Sequence, residues 1–541
     1  MSISLRLMIP INPPRQGNCP VDNLPNELLS YVFRIGVEID QRWWDKDLKL
    51  TSYEDQWVHL DGNQDSHGVS VKSGDPTSSV LPLAFDFMPE TFRYRGPLPP
   101  QVLVSHVCRR WRAVALNIPR FWTTLRFCTY PGLAQKQEYI SRSNGFPLTI
   151  EVDCGIENRG LDNDTPAGEN RESDGSEDDE VSDSDMSGDD ETSDSDTSDD
   201  DEDSDSDISE DDPDLSLEDL GHILNLLEPV VSQWGRFDFY ASDTTHILFL
   251  MSRLDKLSAA PCLTSFRIHR YRMRDDTTFV PAARFLPFHG QAPKLKEVIF
   301  WGIHIDWEGA LPTFLRGLRI FGLSALKNDD RPSYAAFAEI IKNSPELKTL
   351  TSSMTGPLLS DDVSFDPRAS WVPIPLPIPS LTRLMLQLYD QKYAIAFMQH
   401  LDLPNLTHLV LNLYQEDYSD FVKVLAKPAQ GRGSLLRKII DLEITGLSLD
   451  LASVKVLLSE LRSLICLNLQ PSMSVAEVIC DALVDPSVLA IGQASDDLPN
   501  IFCPNLEEIT TCHLDEKGAK ALVAGRRDAG VPLKKIRNII Y

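Results

Sequence analysis

The chain reads as an α/β protein in which a small helical module precedes an irregular array of strand–helix repeats. Three observations predict this: two amphipathic helical patterns near the N-terminus, a six-residue leucine pattern that returns across the second half, and helical stretches between its copies. At 541 residues and 42% hydrophobic content, the chain can bury a large core and holds either more than one domain or one long repeat array.

Residues 1–19 read as a flexible N-terminus. The first helical pattern follows, where residues 24–33 read LPNELLSYVF. Pro25 suits the first helical position, where its missing N–H costs nothing, and Glu27 in the first turn complements the helix dipole. Leu24, Leu28 and Val32, with the pair Leu29 and Phe33, recur at i, i+4 and give the helix a broad apolar stripe. The second pattern places Val104, Val107, Cys108 and Trp111 at i, i+3, i+4, i+7, with Arg109, Arg110 and Arg112 on the polar side. Pro99 and Pro100 precede it and Pro119 stops it, so one helix is expected there.

The order of residue types, L-P-x-E-L-L-x-x-V-F, then V-x-x-V-C-R-R-W-R and Pro119-Arg120-Phe121-Trp122, resembles the opening and closing helices of an F-box across residues 20–125. The resemblance implies docking on the Skp-type adaptor of a cullin ubiquitin ligase through Leu24, Pro25, Leu28, Leu29, Val32, Val104, Val107 and Cys108, with no chemistry performed by this chain. An F-box is usually compact, whereas 71 residues separate Phe33 from Val104 here. Residues 38–97 read as an insertion, mostly loop because the stretch is polar and carries Gly and Pro. A surface loop of that length is tolerable because closure cost grows only logarithmically. Large inserts at this place resemble those of F-box-like proteins expanded in mushroom-forming fungi.

Acidity is confined to one segment. Residues 169–214 carry 25 Asp and Glu against one base, Arg171, and that −24 leaves only −6 of the chain's −30 for the rest. Like charge at this density, interleaved with serine, cannot bury enough apolar surface to offset chain entropy, so 155–214 is expected to be disordered. Ser176, Ser182, Ser187, Ser193, Ser198, Ser204 and Ser209 each have an acid three residues on, which resembles casein-kinase-II-type phosphorylation sites. The segment is a solvated spacer, a phosphorylated regulator or a binder of basic partners. Nucleic acid is excluded there, because phosphate would be repelled. The flanks, a strand-like alternation over 146–152 and a helical pattern over 215–227, make the segment an enlarged loop inside a β–α unit.

From 126 to 541 the chain repeats loosely. L-x-x-L-x-L begins at Leu263 and Leu295, returns as Leu315, Leu318 and Ile320, and continues from Leu347, Leu381, Leu406, Ile439, Leu464 and Leu506. Helical stretches fall between the copies at 334–342, 393–400, 419–426, 451–461 and 517–529. A strand and a helix at this spacing resemble an irregular leucine-rich-repeat solenoid. A doubly wound α/β domain also alternates strands and helices, but no Gly-rich phosphate loop follows any strand. Within each repeat the leucines point inward and the residues between them face an open sheet surface. That face carries Arg267, His269, Ile299, Trp301, Met385, Gln387, Tyr389, Val410, Asn412, Tyr414, Glu443 and Asn468. Trp301, Met385, Tyr389, Val410 and Tyr414 are the candidate target contacts, since exposed aromatics dominate interface hot spots.

Nine cysteines occur without a C-x-x-C pair, so neither a disulfide framework nor a zinc site is indicated, and no cofactor is expected. Eleven histidines lack H-E-x-x-H partners, and neither a G-x-S-x-G elbow nor a P-loop is present, so an enzyme is not expected. No apolar run reaches a membrane span or a signal peptide, and a cytosolic or nuclear compartment is expected. F-box followed by leucine-rich repeats is a known pairing that implies a substrate-recognition subunit holding a protein target. The alternatives are an F-box scaffold outside any ligase and a chaperone whose acidic run binds basic partners.

Overall fold

A side-chain period of two governs the strands, and helical crossovers govern their order. The computed structural model describes residues 24–47, 56–58, 100–128, 132–154, 215–270, 284–303, 305–326, 330–359, 375–387, 390–413, 416–428, 433–470, 473–489, 501–512 and 514–539.

Three helices open it: α1 (Asn26–Asp47), α2 (Pro100–Val107) and α3 (Arg109–Leu116), with a three-residue strand β1 (Gln56–Val58) between α1 and α2. Pro25 lies one residue ahead of α1, and its carbonyl accepts the Leu29 N–H at 3.0 Å. α1 runs nine residues beyond the 38 expected as the start of the insertion. The single closing helix expected is two helices. Cys108 is extended (φ −157°, ψ 169°), and its sulfur accepts the Trp111 N–H at 3.4 Å, capping α3. The break swings Trp111 onto Phe33, 4.9 Å between ring centroids, and Phe121 lies 6.1 Å from Phe33 on a 3-10 turn (Pro119–Trp122).

The strand–helix series then runs β2 (Thr124–Phe127), α4 (Leu133–Ser143), β3 (Leu148–Asp153), α5 (Leu217–Leu227), β4 (Trp234–Ala241), α6 (Thr244–Leu254), β5 (Ser265–Arg270), β6 (Glu297–Trp301), α7 (Trp307–Ala310), β7 (Ile320–Ser324), α8 (Tyr334–Lys342) and β8 (Thr349–Ser353). It continues with β9 (Leu376–Pro377), β10 (Arg383–Gln387), α9 (Gln391–Gln399), β11 (Leu401–Asp402), β12 (His408–Asn412), α10 (Ser419–Ala426), β13 (Asp441–Thr445), α11 (Leu451–Glu460), β14 (Cys466–Gln470), α12 (Met473–Val484), β15 (Glu508–Cys512), α13 (Glu516–Asp528) and β16 (Lys535–Ile539).

Fourteen strands form one sheet in sequence order from β2 to β16, with β9 and β11 set aside as a small pair and β1 antiparallel on β16. Every other neighbour in the large sheet is parallel. The class is therefore α/β with a large, mostly parallel sheet. A doubly wound sheet reverses its strand order at a switch point, and this one never does. Burial alternates along β3, β6 and β10, where one face is packed and the other open, whereas β4 and β7 are buried on both faces over most of their length. Leu384, Leu409, Leu442 and Leu467 lie in register on the packed face, as do Leu386, Leu411, Ile444 and Leu469.

One copy of the repeat is out of phase with expectation. Its core row is Leu318, Phe321 and Leu323, while Ile320 stands on the open face, half-buried. Helix starts repeat one chemistry. Asp243, Asp306, Asp390, Asp450 and Asp515 each cap the helix that follows, and Ser216 caps α5 in a reciprocal box with Asp219. The buried apolar residues form one cluster from Leu29 to Ile536, so the N-terminal helices share a core with the sheet instead of standing apart. Trp122 carries that continuity, donating its indole N–H to Ala115 at 3.1 Å and lying 5.1 Å from Tyr139 of α4.

Candidate docking surfaces

Two surfaces gather the residues singled out from the sequence. The first belongs to the N-terminal helices. The apolar stripe of α1 is wider than the core can cover, so it divides. Leu29 and Phe33 are 1% and 3% exposed against α3 and Phe121, whereas Leu28 and Val32 are 50% and 53% exposed. A helical residue is turned by about 100° from its neighbour, which sends Leu28 and Leu29 to different sides. Leu29 is thus a core residue and is corrected from the expected contact set. Tyr31 and Ile35, missed in the sequence, continue the outer stripe, and Leu103 joins Val107 on α2, which packs beside α1. Tyr31 and Ile35 fall three and seven residues after Leu28, and Leu103 falls four before Val107, and that spacing was the available signal.

The remaining expected contacts take mixed positions. Pro25 and Cys108 are exposed, Val104 is half-buried against the core, and Leu24 is half-buried with its carbonyl accepting from Arg110. Arg110 also donates to the Asn26 side chain at 3.0 and 3.1 Å. These bonds tie α3 to the start of α1 and hold the outer stripe in place.

The second surface is the open face of the sheet. Register puts Arg126, Glu151, Asp238, Arg267, Ile299, Gly322, Thr351, Met385, Val410, Glu443 and Asn468 in one row across it. Met385 and Trp301 are half-buried there, as expected of side chains on that face. Val410 is 5% exposed, which corrects its place among the target contacts: it is short and stands between the longer Met385 and Glu443 on the flanking strands. Tyr389 and Tyr414 lie outside the described residues, as do Ser176, Ser182, Ser187, Ser193, Ser198, Ser204 and Ser209.

Sequence reasoning missed the charge order at the N-terminal end of this face. Arg126 pairs with Glu151 at 3.2 Å, Arg236 with Asp238 at 2.6 Å, and Arg267 lies 4.0 Å from Asp238 and in contact with Glu297. Asp238 is 2% exposed, and burial lifts its carboxyl to about 6 against the pull of Arg236 and Arg267. Beside this ladder Tyr240 stacks on His269 at 4.9 Å, and His269 lies 6.4 Å from Trp301. Burial, with Arg267 and Arg236 nearby, holds the His269 imidazole down to about 3, so it stays neutral at physiological pH. The alternation Arg-Phe-Asp-Phe over 236–239 was the sequence signal, since charged residues between apolar ones mark the open face.

Among the described residues, no group of three or more His, Cys, Asp or Glu side chains could hold a metal ion, and no helix is long and apolar enough to cross a membrane. No protein-family model matches this chain, and no curated protein matches it.

Proposed function

We propose that this chain is the target-receptor subunit of an SCF-type cullin ubiquitin ligase, docking on the Skp-type adaptor through α1 and α2 and holding a protein target on the open face of the sheet. The observation that carries the reading is the doubled stripe of the N-terminal helices. One side of α1 is spent on the core, while Leu28, Tyr31, Val32 and Ile35, with Leu103 and Val107 of α2, face outward. A patch of large apolar side chains on rigid helices marks a protein contact. The F-box order of residues in the same two segments supports the adaptor as that contact. The long open face, with Trp301 and Met385 on it, supports target holding. In such a ligase the conjugating enzyme carries the ubiquitin thioester, so this subunit contributes proximity alone, in the cytosol or the nucleus.

Capture of purified Skp-type adaptor by the full chain tests the reading. Leu28→Ala/Val32→Ala should weaken capture by about thirtyfold or more, because two side chains lose roughly 2 kcal/mol of burial at the contact. Its melting temperature should stay near wild type, since both residues are exposed. Leu29→Ala is the opposite control, costing about 2–5 kcal/mol of stability as a core truncation. Failure of the wild-type protein to capture the adaptor would sink the reading.

A further inference from the structure

Acids on the open face commonly stand beside bases: Glu151 by Arg126, Asp238 by Arg236, Glu297 by Arg267 and, near the far end, Glu508 with Lys535 at 2.8 Å. Glu443 of β13 breaks that order. It is half-buried, and no hydrogen bond or ion pair reaches its carboxylate among the described residues. Burial raises its carboxyl, Arg383 pulls it down, and Asp441, two residues earlier on the same face, raises it further. Arg383 stands two strands away on β10, and among the described residues no ion pair joins it to either acid. Two acceptors beside Glu443 also lack a partner. Asn468 lies directly across from it on β14, and Asn412 lies on β12, one strand to the other side and two residues further along. Neighbouring strands are about 4.8 Å apart and rise about 3.3 Å per residue, so both positions fall within about 8 Å of Glu443. The Oδ1 of each amide is buried and accepts no hydrogen bond among the described residues. Such orphans are rare in native folds. On its other side the row of Glu443 continues as buried Val410 and half-buried Met385.

We infer that this part of the open face binds a lysine side chain of the protein target, with the ammonium held by Glu443, Asn412 and Asn468 and the methylenes laid over Val410 and Met385. This rests on the open face as the target surface and adds the chemistry that it reads. A lysine head carries three donors and no acceptor, which matches three acceptors that lack donors. Its stem is apolar and packs on apolar surface while the head reaches a polar group. The local charge also favours a cation, since Glu443 and Asp441 against Arg383 leave one negative charge. A half-buried carboxylate that stands alone until a partner arrives costs the fold and rewards the complex. A metal ion fits less well, because among the described residues no three His, Cys, Asp or Glu side chains could hold one. An arginine presents five donors in a rigid planar fork, which suits a flat carboxylate better than three acceptors on three strands.

The probe is Nα-acetyllysine methylamide, titrated into the full chain with methyl-labelled methionine and read at the Met385 methyl signal, which Met385→Leu assigns. The signal should move and saturate with a Kd of about 1 mM, the range open to a ligand of this size. Nα-acetylnorleucine methylamide keeps the stem without the ammonium and should bind at least about tenfold more weakly. Glu443→Gln should weaken the lysine probe by about the same factor. Because glutamine removes an unpaired half-buried charge, that variant should melt no lower than wild type, whereas loss of a structural residue would lower the melt. Asn468→Ala gives a second check and should weaken the lysine probe about threefold or more. Equal affinity for the norleucine probe, tighter binding of Nα-acetylarginine methylamide, or unchanged lysine affinity in Glu443→Gln would overturn the inference. Adaptor capture by Glu443→Gln should equal that of wild type. Absence of any probe shift with capture intact would remove the lysine site and leave the ligase reading. Failure of capture by both proteins with the lysine probe still bound would remove the ligase reading and leave the site.

Discussion

Adjacent residues on one helix have opposite roles. Leu28 and Leu29 are the same side chain one position apart, and only the geometry of packing separates an exposed residue from a core residue. Asp238 makes the same point for charge. It touches two arginines, yet burial wins and its carboxyl titrates near 6 in the fold, against about 3.9 in an unfolded chain. Between those values the folded protein holds a proton that the unfolded protein has lost. The Asp238 contribution to stability is therefore fully present below about pH 4 and declines by roughly 3 kcal/mol as pH rises through 6. His269 works in the opposite sense: its folded-state value is depressed, so its contribution improves as pH rises from 3 through the range of a free histidine. Comparing wild type with Asp238→Asn cancels the histidine. Urea denaturation should find wild type losing ground to the variant from pH 4 to 6 and holding a constant difference above 7. A difference constant over the whole range would mean that Asp238 is not held protonated.

Elements end by a shared device. The residue after β6, β7, β8 and β13 is left-handed in each case: Gly302, Ala325, Met354 and Gly446, with φ of 68°, 56°, 59° and 68°. There the N–H of Gly302 donates to Ser324, that of Ala325 to Ser353 and that of Met354 to Gln387, so the ladder continues one residue past each strand before the chain turns away. Two of these positions bear side chains in a conformation that favours glycine. Gly302 has a tighter reason to remain glycine, since an added Cβ would meet Arg270 at 3.3 Å. Gly302→Ala should cost about 1–2 kcal/mol for the left-handed backbone alone, read as a lower urea midpoint. An unchanged midpoint would show that the strand end relaxes freely. The helices between strands were easier to foresee. Expected spans at 334–342 and 419–426 coincide with α8 and α10, because each has a strong apolar period, and α8 also has a cap at Ser333. The break at Cys108 was not foreseen, because a cysteine in an apolar stripe carries no local signal that its sulfur will cap a new helix.

At the scale of the molecule, each unit of the array leans on its neighbours, so the ends need closure of their own. Trp122 and Tyr139 provide it at the N-terminal side. At the far side Arg526 of α13 is fully buried and donates to the carbonyls of Leu483, Phe502 and Cys503 at 3.4, 3.1 and 2.8 Å. Arg526→Ala would leave these carbonyls dry and unpaired, at a cost of about 3 kcal/mol or more. Hydrogen exchange should show the loosening confined to α12 through β16, with β2 to β6 protected as in wild type. Loosening of equal size across the whole sheet would show that the array unfolds as one unit instead of neighbour by neighbour.

The α/β class, the repeated strands and most of their inward rows were determined by the sequence itself, because leucine spacing and helix periodicity are local and survive any packing. The two amphipathic segments were legible for the same reason. Packing alone decided which half of α1 faces out, that Leu29 and Val410 are buried, and that the row with Ile320 shifts by three residues. The order of strands and the half-buried charge ladder from Arg126 to Glu297 likewise belong to the tertiary structure. Each depends on residues distant in the chain meeting across the sheet or against the helices, and no local pattern records which of them will meet.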